Sequence, residues 1–137
     1  MRRNLAIAAV MTVLGLAAAS VPALAAEAGS AASTAVVATF TTRGAQVWRA
    51  TLTDSTAIVS ARAQLAGTEK IPTFPHGLIV YGTANENVGY SWHLENVRMV
   101  QVSMELCDGR PSDVEARRLS SRFYCPWGAK VIALQDL

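Results

Sequence analysis

The chain is poor in the residues from which most catalytic and metal sites are built. It has only two histidines, two cysteines and two lysines. His76 and His93 lie far apart in sequence and fall short of the three or four protein ligands that zinc takes, so no metal is implied. The cysteines are 18 residues apart rather than in a close C-x-x-C pair, which argues against a redox or zinc motif. There is no G-x-S-x-G and no S-x-x-K, so the common serine-hydrolase signatures are missing. No internal repeat is visible, and nothing points to a cofactor. Nor is there a run of about 20 strongly apolar residues of the kind that spans a bilayer.

What is present begins with an export signal. Met1-Arg2-Arg3 supplies a positive start, and residues 5–16 an apolar stretch broken mainly by Thr12 and Gly15. Pro22 ends that stretch, and Ala23-Leu24-Ala25 offers small residues to a signal peptidase. Residues 1–25 therefore read as a cleaved signal peptide, with cleavage after Ala25 or, alternatively, Ala26. Residues 26–35 are small and polar and read as a disordered lead-in. Residues 36–137 are left as one globular domain, secreted and free of any membrane segment beyond the signal.

The leader also distorts the charge. The formal net charge of +2 comes from 12 basic and 10 acidic residues, and Arg2 and Arg3 belong to the signal. The exported part is neutral, which leaves no electrostatic footprint for nucleic acid or an anionic membrane. Ten arginines against two lysines suggest a GC-rich bacterial genome.

In an oxidising compartment an even pair of cysteines forms a bridge more often than two free thiols. Cys107 and Cys125 are expected to form it. In the chain-entropy account such a loop stabilises by about 3 kcal/mol, a large share of a small domain's stability.

Along the mature chain, residues 36–42 (VVATFTT) and 46–52 (QVWRATL) read as a hairpin around Arg43-Gly44, with Trp48, Ala50 and Leu52 on one face. The period then changes. Ala57, Ile58, Ala61 and Leu65 fall on one face of a helix over residues 55–66, capped by Asp54 and ended by Gly67. Pro72 and Pro75 make residues 68–76 a loop. Residues 77–82 and 89–94 read as strands, and Asn96 turns the chain again. In 97–106 (VRMVQVSMEL), Val100, Val102, Met104 and Leu106 alternate with polar residues, predicting a strand with those four side chains inward. Ser112-x-x-Glu115 has the spacing of a capping box, opening a helix to about Arg122. Residues 130–134 (KVIAL) close the domain as a strand. The fold class is α+β: a mainly antiparallel sheet with two helices and one disulfide.

Three segments carry a resemblance: residues 54–67 (DSTAIVSARAQLAG), 90–115 (YSWHLENVRMVQVSMELCDGRPSDVE) and 124–130 (YCPWGAK). Together they resemble the small domain at the N-terminus of a calmodulin-binding protein family of slime moulds. That domain also occurs as stand-alone secreted proteins in actinobacteria, often under the calmodulin-binding label. The resemblance covers nearly the whole mature chain and implies a single domain with both cysteines in place. It implies no catalytic residue set. Nor does it extend calmodulin binding to an exported bacterial protein. The nearest amphipathic basic segment, residues 114–124, is short, and Asp113 and Glu115 lie in its first turn, unlike a calmodulin target.

The remaining candidates each have a plain structural use. His93 lies between Trp92 and Leu94 with Glu95 following; a hydrolase would pair it with Glu95 or Glu105. Asp108, Asp113 and Glu115 could gather around a cation, although Asp113 and Glu115 also suit the start of a helix. Trp92 and Trp127 could form an aromatic binding surface or pack the core and the bridge. The balance favours a secreted, non-enzymatic binding module for an extracellular protein or glycan. The alternatives are a small hydrolase using His93 and a protease inhibitor whose reactive loop is residues 68–76.

Overall fold

The computed structural model describes residues 34–137. The signal peptide and most of the lead-in expected from the sequence lie outside the described residues. No helix among the described residues is long and apolar enough to cross a membrane.

Among the described residues two antiparallel three-stranded sheets and two helices make up the fold, so the α+β class holds with two sheets instead of one. β1 (Val36–Thr41) pairs with β2 (Val47–Leu52) and, on its other edge, with β6 (Lys130–Asp136). β3 (Phe74–Tyr81) lies between β4 (Trp92–Val100) and the short β5 (Phe123–Tyr124). The β1–β2 hairpin forms where the residues predict it: Gly44 takes the left-handed backbone (φ 80°) that the turn requires.

Period-two alternation drives the first sheet. Val36, Ala38 and Phe40 on β1 and Trp48, Ala50 and Leu52 on β2 are buried, while the residues between them face outward. Their partners are aromatic residues of the second sheet. Trp48 stacks on Phe40 at 4.7 Å and lies 5.4 Å from the Tyr124 ring, and Trp92 meets Tyr124 edge-on at 5.6 Å. This aromatic cluster joins the sheets where β2 approaches β4. Among the described residues neither the Trp48 nor the Trp92 indole N–H has a hydrogen-bond partner, so both donors are buried among rings.

Helix α1 (Ser55–Leu65) covers one side, burying Ala57, Ile58 and Ala61. The Asp54 carboxylate accepts from the Ala57 N–H at 2.8 Å, and Gly67 ends the helix with φ 70°. Leu65, expected on the buried face, is exposed. It sits on the last turn, beyond the part of the helix that the sheets cover.

Three expectations are corrected. The loop assigned to 68–76 ends sooner, because Phe74, Pro75 and His76 are the first residues of β3. Proline is tolerated there at a strand's start. Helix α2 (Pro111–Glu115) is one turn long and stops well short of Arg122. Its start is also shifted: the Asp113 carboxylate accepts from the Arg110 N–H at 2.9 Å, so Ser112 and Glu115 form no capping box. The third concerns β4. Asn96 is not a turn but part of a bulge within one continuous strand, its φ of 52° in a region asparagine tolerates. His76 pairs with Arg98 and Leu78 with Glu95, so Gly77 stands opposite both Asn96 and Val97. The bulge reverses the phase of the residues after it: Val97 and Met99 turn inward, and the strand ends at Val100.

Candidate functional site

The bulge leads into a run of exposed apolar side chains. Past Val100 the chain leaves the sheet, and residues 101–106 make no backbone–backbone hydrogen bond among the described residues. The alternation of the sequence persists but points the other way. Ser103 turns inward, its hydroxyl 3.5 Å from the Cys107 sulfur, while Val102, Met104 and Leu106 stand 67%, 94% and 86% exposed. The three side chains expected in the core are thus displayed to solvent.

The loop is pinned at its end. Cys107 and Cys125 are bonded, with Cα atoms 5.1 Å apart, and the Cys107 carbonyl accepts from the Cys125 N–H at 2.8 Å. The bridge is fully buried in a small cluster with Phe74, flanked by Val100 and Phe123. Next to it Asp108 accepts from the Trp127 N–H at 2.8 Å, and the Trp127 ring packs 5.7 Å from Phe74.

Asp108, Asp113 and Trp127, three of the candidates from the sequence, meet in a cleft of about 180 Å³ with Thr42, Arg43 and Arg110. That is below the roughly 300–1,000 Å³ of ordinary small-molecule pockets. Both carboxylates are already engaged: Asp108 by the Trp127 amide, Asp113 by the Arg110 amide and by Arg118 at 3.6 Å. Beneath them the Tyr124 hydroxyl donates to the Gly109 carbonyl at 3.2 Å. Burial, aided by the nearby Asp108 carboxylate, pushes that phenol far above its ordinary range, so it stays protonated. The cleft is a braced surface with no free acid–base pair.

The other candidates lie elsewhere. Trp92 is wholly buried in the aromatic core and has no surface to offer. Glu115 accepts from the Ser91 hydroxyl at 2.6 Å and the Ser91 N–H at 2.9 Å, and these bonds lower its pKa. It therefore does not join Asp108 and Asp113, and among the described residues no group of three acidic, histidine or cysteine side chains could hold a metal ion. His93 borders a separate cleft with Thr51, Thr53, Glu86 and Glu95. Its Nδ1 lies 3.2 Å from the Gly82 carbonyl and its Nε2 3.9 Å from Glu95. Glu105, the other carboxylate considered for it, is bonded instead to Ser121 at 3.1 Å. His76 stacks on Phe123. The amphipathic segment 114–124 is not one helix: α2 ends at Glu115, and Arg117 has φ 55°.

Compared with known domain families, residues 34–136 match the BP-74 N-terminal domain, the calmodulin-binding protein family that the three segments resemble. The chain belongs to that family. Neither the curated proteins nor the solved structures include one that matches it. In this member of the family, the candidate residues that sequence reasoning missed are Val102, Met104 and Leu106. Their alternation hid them, since it is what a half-buried strand also shows. The usable signal was Asn96, a residue prone to left-handed backbone in the middle of an apolar run.

Proposed function

We propose that this protein is an exported, non-enzymatic binding module whose partner is an extracellular protein, met at the disulfide end of the domain. The observation that carries the reading is the outward display of Val102, Met104 and Leu106 on a loop anchored by the bridge. Burying each such side chain would stabilise the fold by about 1.5–3 kcal/mol. Leaving three outside forgoes several kcal/mol in a domain whose whole stability is about 5–15 kcal/mol. Exposed apolar groups of this kind mark interaction sites. Trp127, 45% exposed beside the same bridge, adds an aromatic anchor of the type that dominates protein interfaces.

Export is supported by the signal-like residues 1–25 and by the bridge, which persists in oxidising compartments. Protein recovered from culture medium should begin at Ala26 or Glu27 on N-terminal sequencing. An intact Met1 would overturn export.

The binding reading is tested with the triple variant Val102→Ser, Met104→Ser, Leu106→Ser. All three side chains are exposed, so its melting temperature should match the parent's. The parent should bind an extracellular protein fraction of the producing organism saturably, and the variant should not. Absence of saturable binding, or equal binding by both, sinks the proposal.

A further inference from the structure

Resting on the binding reading above, we infer that residues 101–106 are the reactive loop of a protease inhibitor. The loop enters the substrate cleft of a secreted serine endoprotease with Met104 in its apolar primary pocket. Endoproteases hold the chain they cut as an added strand: backbone groups pair with an enzyme edge, and alternate side chains enter pockets. Such a segment must keep its own backbone unpaired and its alternate side chains accessible. Residues 101–106 meet both demands: among the described residues they pair with no other strand, and Val102 and Met104 point outward on either side of Ser103. Met104 is the most exposed of them, and its unbranched, polarisable side chain suits an apolar pocket.

A loose loop of this composition would simply be a substrate. This one is braced on both sides of Met104. Before it, β4 remains paired to β3 as far as Val100, which lies opposite Phe74. After it, the Glu105 N–H donates to the Ser103 hydroxyl at 3.2 Å, and the Ser121 hydroxyl donates to the Glu105 carboxylate at 3.1 Å. Cys107 then ties the chain to Cys125. Holding the bound conformation in advance removes much of the ordering cost of association.

The bracing also governs the outcome of attack. The serine oxygen of the protease bonds to the Met104 carbonyl carbon as the bond from that carbon to the Glu105 nitrogen breaks. The departing nitrogen takes a proton from the protease's general acid. That nitrogen is the one held by Ser103, on a residue held by Ser121 and followed by the bridge. It remains beside the acyl carbon, returns the proton and re-forms the peptide bond before water can replace it. Neither end of a cut chain leaves: β4 stays paired to β3, and the new end at Glu105 is tied through Cys107 to Cys125, next to β5, which pairs with β3 as well.

This also moves the inhibitory loop from its sequence-predicted place. Residues 68–76 run into β3, and Glu69 is spent on Thr73, accepting from its N–H at 3.0 Å.

The test uses the full protein, purified with its disulfide intact, titrated against subtilisin and chymotrypsin, with trypsin as the contrast. The parent should inhibit at least one of the first two at equimolar ratio and leave trypsin active. Met104→Asp should weaken that inhibition by at least about 30-fold. Met104→Arg should transfer inhibition to trypsin, a switch that no merely structural role for Met104 would produce. Uninhibited subtilisin and chymotrypsin, or rapid cutting of the loop with the protease still active, overturns the inference. If saturable, loop-dependent binding to an extracellular protein is nonetheless found, the inhibitor inference falls alone and the binding reading stands. If that binding is also absent, both fall.

Discussion

Tyr124 and Glu115 show how single side chains set the conditions under which the domain holds together. The Tyr124 phenol is buried with its hydroxyl on the Gly109 carbonyl, and the fold retains its proton far more firmly than the unfolded chain does. The stability tied to that proton is fully present below pH 10, the ordinary tyrosine value, and is lost as the pH climbs above it. Tyr90 is raised in the same direction, also mainly by burial. Glu115 works in the opposite sense. Its two bonds from Ser91 depress its pKa below 4.5, so its contribution is present above that value and disappears as the pH falls through the depressed one. Urea denaturation across the pH range should therefore show a loss at each end. Tyr124→Phe should flatten the alkaline loss while costing about 1 kcal/mol near neutrality for the hydrogen bond to Gly109. An unchanged alkaline slope would refute that assignment.

At the scale of elements, the bulge in β4 separates what could be read in the sequence from what could not. Gly77 is where the partner strand accommodates it: a Cβ at that position would lie 3.1 Å from both the Leu94 Cβ and the Val97 Cγ2. Gly77→Ala is expected to lower stability by about 1–3 kcal/mol through this crowding, read as a shifted urea midpoint. A neutral effect would mean that the two strands can part there. The first hairpin, α1 and its caps were legible because Trp48, Ala50, Leu52, Asp54 and Gly67 each point to the same local structure that the tertiary packing requires. β4 was not, because a bulge is an offset between two strands and one strand's own residues do not record it. Asn96 therefore read as a turn, and Val102, Met104 and Leu106 were assigned to the wrong face. The Ser112-x-x-Glu115 spacing misled for a related reason. Both residues have partners distant in sequence, Ser112 with Gln46 and Glu115 with Ser91, and those contacts displaced the local cap. Of the cleft, Asp108, Asp113 and Trp127 were singled out in advance, whereas Thr42 and Arg43 arrive from the β1–β2 turn and could be added only by folding.

Across the whole molecule, the bridge joins the end of the exposed loop to the residue after β5, enclosing α2 and the cleft residues Asp108, Arg110 and Asp113. Replacing both partners, Cys107→Ser with Cys125→Ser, should lower unfolding free energy by about 3 kcal/mol, measured by urea denaturation against the oxidised parent. A change below about 1 kcal/mol would show that the loop closure contributes little. The aromatic residues have an optical consequence as well. Trp48 and Trp92 are sealed in the core, and of the three tryptophans only Trp127 reaches solvent, at the disulfide end. Iodide should therefore quench one component of the intrinsic fluorescence, the red-shifted one, and leave the rest untouched. A partner seated on that end would screen the same component, so the domain carries its own label-free reporter of occupancy.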